Sequence, residues 1–379
     1  SCACPNTPEF QAHIRAKYAL VAGARPDFIW VDDDIRMHHH GVAWGCFCDT
    51  CLRLFAAKAR RRWTRTRLVE AFHQPAQTAL RRMWVDQNIE SIERLMSLIA
   101  DAVQAVDRSV ALGLMTCGPG WTTYSGMTFD RWFTALRATK ARPGGGFYGD
   151  AVPGEMVRKT LDCGRQRSLL PASVRDIQYE VENFPYQLLK KSGTALADEC
   201  TLALAQGHNG IAFNLNAMTV AYEDVLPFTA SLTAMRPLWE RWVAHAGALP
   251  TAGLWPAWSP ALMARREVRP GENWLASSAA HYINFPLVLQ EIGLPLAADR
   301  PGCGTILSGR VAEAFSTAEL KEILAGGVLM DSTALEVLSQ RRLAHLAGVR
   351  LGPRTDNGVR ERFTGDALNG PFAGHVRDA

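Results

Sequence analysis

The sequence predicts an α/β fold: a (β/α)8 barrel lacking its first strands, followed by a smaller, doubly wound α/β domain. Three observations predict it. Apolar strand-like runs alternate with helical patterns through the first 245 residues, which implies right-handed βαβ units and a parallel sheet. Each run ends in polar or charged residues, the habit of a barrel whose chemistry sits at the C-terminal strand ends. Five such runs occur where a barrel needs eight, so three strand–helix units are expected upstream of Ser1.

In chain order, the strand candidates are "DFIWVDDD" (27–34), "SVALGLMTCGP" (109–119), "GGGFYGD" (144–150), "VRDIQYEVEN" (174–183) and "GIAFNLNA" (210–217). Their polar ends are Asp32–Asp34, Cys117 with Trp121 nearby, Tyr148 with Asp150, Glu180 with Glu182, and Asn214 with Asn216. Helical apolar spacing runs over 91–107, and a further helix is expected at 187–206. A Pro/Trp-rich stretch from about 245, "ALPTAGLWPAWSP", reads as a linker and divides the chain into 1–245 and 246–379. Beyond it, "HYINFPLVLQEIGLPL" is helix-like and "GTILSG" is a short strand. "STAELKEILAGG" is a helix with Ser316 as N-cap, "GVLMD" is a strand, and a last helix spans 332–346.

With 379 residues, 47% of them hydrophobic and 21% charged, the chain is ordinary globular material. A formal charge of +4 gives no case for nucleic acid, and no apolar run reaches the length of a membrane span. The basic run 53–67, "RLFAAKARRRWTRTR", reads as a solvated helix face. The chain opens "SCACPNTPEF", with no initiator Met and no signal pattern, as a processed or truncated chain would. Nine cysteines, an odd number and several in apolar settings, argue against a disulfide framework and for a reducing, cytoplasmic compartment.

Cys46-x-Cys48-x-x-Cys51 packs three thiols into six residues, and thiolates that close repel unless a cation joins them. Zinc takes four ligands, and the fourth candidate is Cys4, Cys2 or one of His38–His40. A closed four-ligand set has no open position, so its role is structural. Paired carboxylates on two strand ends suit glycoside hydrolysis, one protonating the leaving oxygen and the other attacking the anomeric carbon. The candidates are Asp32–Asp34 and the pair Glu180/Glu182, which alternation puts on one face of their strand. The bland alternative is aspartates capping a turn and glutamates paired with arginines such as Arg175.

"CPNTPEF" (4–10), a strand ending in acids, and "CFCDTC" (46–51) together resemble the glycoside hydrolase family 42 β-galactosidases. That family has a Cys-Pro-Asn-Ser-Pro segment, a Val-Asn-Asn-Glu strand end and a Cys-x-Cys-x-x-Cys cluster. The resemblance implies one zinc on Cys4, Cys46, Cys48 and Cys51, an acid/base at Asp34, and a nucleophile at Glu182 of "ENFP". Asp33 stands where the family's Asn holds the sugar 2-hydroxyl. It also implies that 246–379 is a trimerisation domain, flavodoxin- or glutamine-amidotransferase-like but without a nucleophilic Cys, and hence a homotrimer. Because Asp is one methylene shorter than Glu, the expected substrate is a glycoside or oligosaccharide of another sugar, such as a uronate. Around the carboxylates, Arg36, Trp44, Trp121, Tyr148, Asp150, Asn183, Tyr186 and Asn214 are expected to contact substrate, and at most one of His38–His40. Two other readings are a non-catalytic carbohydrate-binding or assembly protein that kept barrel and zinc, and a hydrolase with an open metal site.

Overall fold

The computed structural model describes all residues except 1–2, 34, 38–44, 119–126, 188–189, 216–219, 277–286, 301–303, 353–359 and 379, and the side chains of 291, 361 and 378. Asp34, His38–His40, Trp44, Trp121 and Asn216 lie outside the described residues.

Five strands form one sheet: β1 (Phe28–Val31), β2 (Ala111–Thr116), β3 (Lys140–Pro143), β4 (Asp176–Glu182) and β5 (Gly210–Asn214). Every pairing is parallel, and the spatial order is the chain order. A doubly wound sheet reverses direction at a switch point; a barrel wall never does. The sheet is therefore a barrel segment. Helices intervene as α1 (Pro8–Gly23), α2 (Asp49–Ala59), α3 (Arg65–Phe72), α4 (Thr78–Gln104), α5 (Phe129–Leu136), α6 (Gly154–Ser168), α7 (Gly193–Ala205) and α8 (Tyr222–His245).

The two faces of the sheet differ. Ile29, Val31, Leu112, Leu114 and Ala141 bury against α4 and α5 with Ile92, Met96, Ile99, Trp132 and Phe133. Tyr179 and Val181 bury against α7 with Leu196, Cys200 and Ala203. The alternate residues face the other way and are largely polar. Lys140 pairs with Asp176 at 2.6 Å, and one layer higher Arg142 pairs with Glu180 at 2.6 Å. Level with Lys140, Gly113 sits beside Trp30, and a Cβ at 113 would overlap the indole ring, so Gly suits that approach.

The third strand is not the Gly-rich run expected at 144–150. It is "KARP" just upstream, and 144–150 is the loop that follows it. Two charged side chains hide this strand's signal, because its inward face carries ion pairs instead of apolar residues. Helix α8 was also absent from the sequence reading, since Pro227 and Pro237 interrupt its 24 residues.

The stretch expected as a linker contributes a strand. In the second region, β6 (Trp255–Pro256), β7 (Thr305–Leu307) and β8 (Val328–Met330) form a parallel sheet, and Leu254 bridges to Leu296 on the far side of β6. Pro256 is tolerated there because Trp255 N and Ala257 N make the bonds to β7, donating to Gly304 O and Ile306 O. Helix α9 (Thr317–Leu324) starts at Ser316 with a capping box to Glu319, and α10 (Ser332–Gln340) starts at Asp331, which caps Ala334 N. No clean break separates the two regions. One core joins Phe47, Phe55, Leu68, Phe72 and Trp84 to Leu262, Met263, Trp274, Leu307, Val311 and Leu338.

Candidate functional site

The polar face of the half-sheet converges on the C-terminal ends of β1 and β4. Glu180 and Glu182 project from β4 on the side opposite Tyr179 and Val181, as a period of two requires. Arg142 holds Glu180. Burial pushes the Glu180 carboxyl above the usual range, against the pull of Arg142 and Lys159, and Glu182 and Asp32 push the same way. Glu182 sits beyond the arginine. Its Oε1 accepts from Tyr186 Oη at 3.1 Å and from Asn214 Nδ2 at 3.3 Å, and Asn214 also donates to Tyr186 Oη at 3.3 Å.

From β1, Asp32 and Asp33 come within electrostatic range of Glu180. Asp33 lies beside an apolar floor of Ile35, Leu114, Phe129 and Trp132. That burial, with a hydrogen bond to Asp32 and the charge of Glu180, pushes its carboxyl up to about 7, although Arg36 opposes the rise. Arg36 itself donates to Cys117 Sγ at 2.9 Å. Tyr148 joins from the loop after β3: its phenol is raised by burial and then by the charges of Glu182 and Glu180.

The structure thus gathers Asp33, Arg36, Glu180, Glu182, Tyr148, Tyr186 and Asn214. Two expected substrate contacts are placed elsewhere. Asp150 clamps the start of α7, its Oδ2 accepting from Ser192 N at 2.7 Å while its own N–H donates to Lys190 O. Asn183 is fully buried, in step with Tyr179 and Val181 that face the helices, and its side chain has no partner among the described residues. Alternation alone separates Asn183 from Glu182.

Sequence reading missed three contributors. Arg142 lay in an unrecognised strand. Phe184, two residues past Glu182, is 53% exposed beside Tyr148 and Tyr186. Beneath β4, Lys159 donates to Glu180 O at 2.6 Å and to Glu199 at 2.9 Å, and Lys191 donates to the other oxygen of Glu199 at 2.6 Å. Two buried lysines on one buried carboxylate leave a positive charge under the acidic cluster. No periodicity announces such a network, since each member looks like an ordinary surface helix residue.

A second constellation lies at one side of the barrel segment. Cys4, Cys46, Cys48 and Cys51 bring their sulfurs within 4.8 Å of one another. Cys4 and Cys51 are 3.5 Å apart, and Cys4 and Cys48 3.7 Å. A disulfide needs about 2 Å, whereas a tetrahedral cation with metal–sulfur bonds near 2.3 Å sets sulfur–sulfur edges of about 3.8 Å. The set fits a tetrahedral metal. Asn6 Nδ2 donates to Cys51 Sγ and Asn6 N to Cys4 Sγ, each at 3.4 Å, as partners of thiolates would. Without a cation the group titrates as one: the hydrogen bond from Cys51 draws Cys46 down to about 5, and Cys51 rises in turn.

The chain superposes on the β-galactosidase from the psychrophilic Marinomonas ef1 with a TM-score of 0.58 at 12% identity, covering 86% of this chain and 59% of that one. The fold is β-galactosidase-like. Its five-stranded sheet is a half-barrel of that type, and the chain spans 59% of the Marinomonas enzyme's length. The β-galactosidases from Rahnella sp. R3 and from the Antarctic haloarchaeon Halorubrum lacusprofundi match with TM-scores of 0.49, at 13% and 15% identity, over 86% and 87% of this chain and 55% and 57% of theirs. No protein-family model and no curated protein matches the sequence. Among the described residues, no helix of this β-galactosidase-like fold is long and apolar enough to cross a membrane.

Proposed function

We propose that the chain carries the catalytic wall of a retaining glycoside hydrolase acting on a glycoside or oligosaccharide. The observation that carries the reading is the meeting of β1 aspartates and β4 glutamates at the C-terminal strand ends of a barrel-type sheet, with one carboxyl pushed up to about 7. Glu182 is the nucleophile. Tyr186 and Asn214 fix its Oε1, while the Arg142 ion pair commits Glu180 to holding the site together. Attack by Glu182 on the anomeric carbon forms the glycosyl–enzyme ester as the C–O bond to the leaving group breaks. An aspartic acid from β1 gives its proton to the departing oxygen, and then takes one from the water that cleaves the ester.

The resemblance puts the acid at Asp34, and Asp33 has the protonation that the role needs near neutral pH. The two carboxyls would stand roughly 5 Å apart, the spacing of retention. Among the described residues β1 and β5 are the edge strands, and three further strand–helix units between them would complete an eight-stranded wall.

Zinc is the metal that suits the four-cysteine set, and Cys4, Cys46, Cys48 and Cys51 would hold it as a closed structural site. The second region would be an α/β domain beginning at about residue 246 and packed on the barrel segment through the shared core. The bridge at Leu296, β6, β7 and β8 give the order 2-1-3-4 in chain numbering, a flavodoxin-type beginning that supports this division. A homotrimer rests on the resemblance alone, and a cytoplasmic compartment on the nine cysteines, an odd number.

The test is hydrolysis of a panel of aryl and oligosaccharide β-glycosides by the full-length protein. Turnover with retained anomeric configuration is expected, and Glu182→Gln should lower kcat by roughly 10³–10⁴-fold. Inverted product, or full activity in Glu182→Gln, would overturn the assignment. A non-catalytic carbohydrate-binding role is the second reading, favoured by the Asp at 34. It predicts oligosaccharide binding with no turnover.

A further inference from the structure

Beside Glu182 the chain exposes apolar rings. Phe184 is 53% exposed and Tyr148 39%, at a place where neither is needed to fill a core. The rings are continuous: Tyr148 to Phe184 is 5.7 Å between centroids, tilted by 58°, and Phe184 to Tyr186 is 5.7 Å, edge-on at 82°. One end is tied to the chemistry, because Tyr186 Oη donates to the Glu182 carboxylate. The other end is set by the loop after β3, where Asp150 N donates to Lys190 O and Asp150 Oδ2 accepts from Ser192 N. That clamp ties the Tyr148 loop to the chain leading into α7.

A sugar hydroxyl is recognised by hydrogen bonds, and Glu182, Asn214 and Arg142 offer those on the barrel side. The half-exposed Phe184 ring, with Tyr148 and Tyr186 inclined to it at 58° and 82°, offers instead an apolar ring against which one planar group can pack. We propose that Phe184, flanked by Tyr148 and Tyr186, is the platform for an aromatic or similarly planar aglycone, so that the site takes aryl glycosides in preference to alkyl glycosides. This rests on the glycoside reading of the same site. Phe184 is a specificity residue here, touching the leaving group and not the reacting atoms.

The test uses S-linked glycosides, which resist hydrolysis: phenyl and methyl 1-thio-β-glycosides of galactose, glucose, xylose and glucuronic acid. Binding to the purified chain is followed by calorimetry and saturation-transfer NMR. For whichever sugar binds, the phenyl glycoside should bind roughly fivefold or more tighter than the methyl, the increment expected of one ring contact. Phe184→Ala should abolish that ratio, leave methyl-glycoside affinity unchanged and leave the melting temperature unchanged, and Phe184→Trp should retain it. Equal binding of phenyl and methyl glycosides, a Phe184→Ala variant that weakens both alike, or no binding of any phenyl glycoside would overturn the proposal. Phenyl preference in a chain that never turns over an O-glycoside would sink the hydrolase reading and leave the platform standing.

Discussion

Asp33 and His208 place opposite pH slopes on the same fold. Asp33 is raised to about 7, so between pH 4 and 7 the folded state holds a proton that the unfolded state has released. Stability from this residue therefore falls as pH rises through that window. Asp33→Asn should raise the urea midpoint at pH 7.5 and change it little at pH 4. His208 is buried with Nδ1 against Ala203 O at 2.9 Å, and burial pushes it down to about 4. Here the unfolded state binds the extra proton, so stability is lost as pH falls from 6.5 towards 4. His208→Gln should flatten that acid limb, and denaturation curves of both single variants between pH 4 and 8 will separate the two effects. Neither environment was legible in the sequence. Asp33 was recognisable as a strand-end acid, but its apolar floor comes from β2 and α5, far along the chain.

Elements were legible where local chemistry and burial agree. Ser316 with Glu319 three residues on announces α9, and the structure forms both halves of that capping box. Strand β4 was readable because Tyr179 and Val181 alternate with glutamates. The signal failed where tertiary contacts override composition: β3 is charged because its partners are charged, and β6 contains a proline whose missing N–H faces away from β7. The cysteine cluster was the most legible site, since thiols at that spacing have few other uses. It carries its own prediction. Atomic emission should find about one zinc per chain, and Cys51→Ser or a chelator should lower the melting temperature by at least ~5 °C.

On the scale of the whole molecule, the two regions share one core. Trp274 is fully buried among residues of both, its ring 5.2 Å from that of Phe72, and its indole N–H donates to Met263 O at 3.0 Å. Trp274→Ala should therefore cost about 3–5 kcal/mol. Unfolding followed by fluorescence and by circular dichroism should still give coincident transitions, because the barrel helices lose the same contacts as the second region. Two separated transitions would mean that the regions are thermodynamically independent.

The thiol clip has a further consequence at this scale. Cys4 lies before α1 and β1, and Cys46, Cys48 and Cys51 lie after them, so the acid-bearing strand end hangs inside a ring of chain closed by the four sulfurs. Opening that ring returns conformational freedom to the segment bearing Asp32 and Asp33, while the half-barrel core of β2, α4 and α5 keeps its own packing. An oxidant or chelator would then act as a local solvent for one wall of the site, loosening the acid long before it melts the protein.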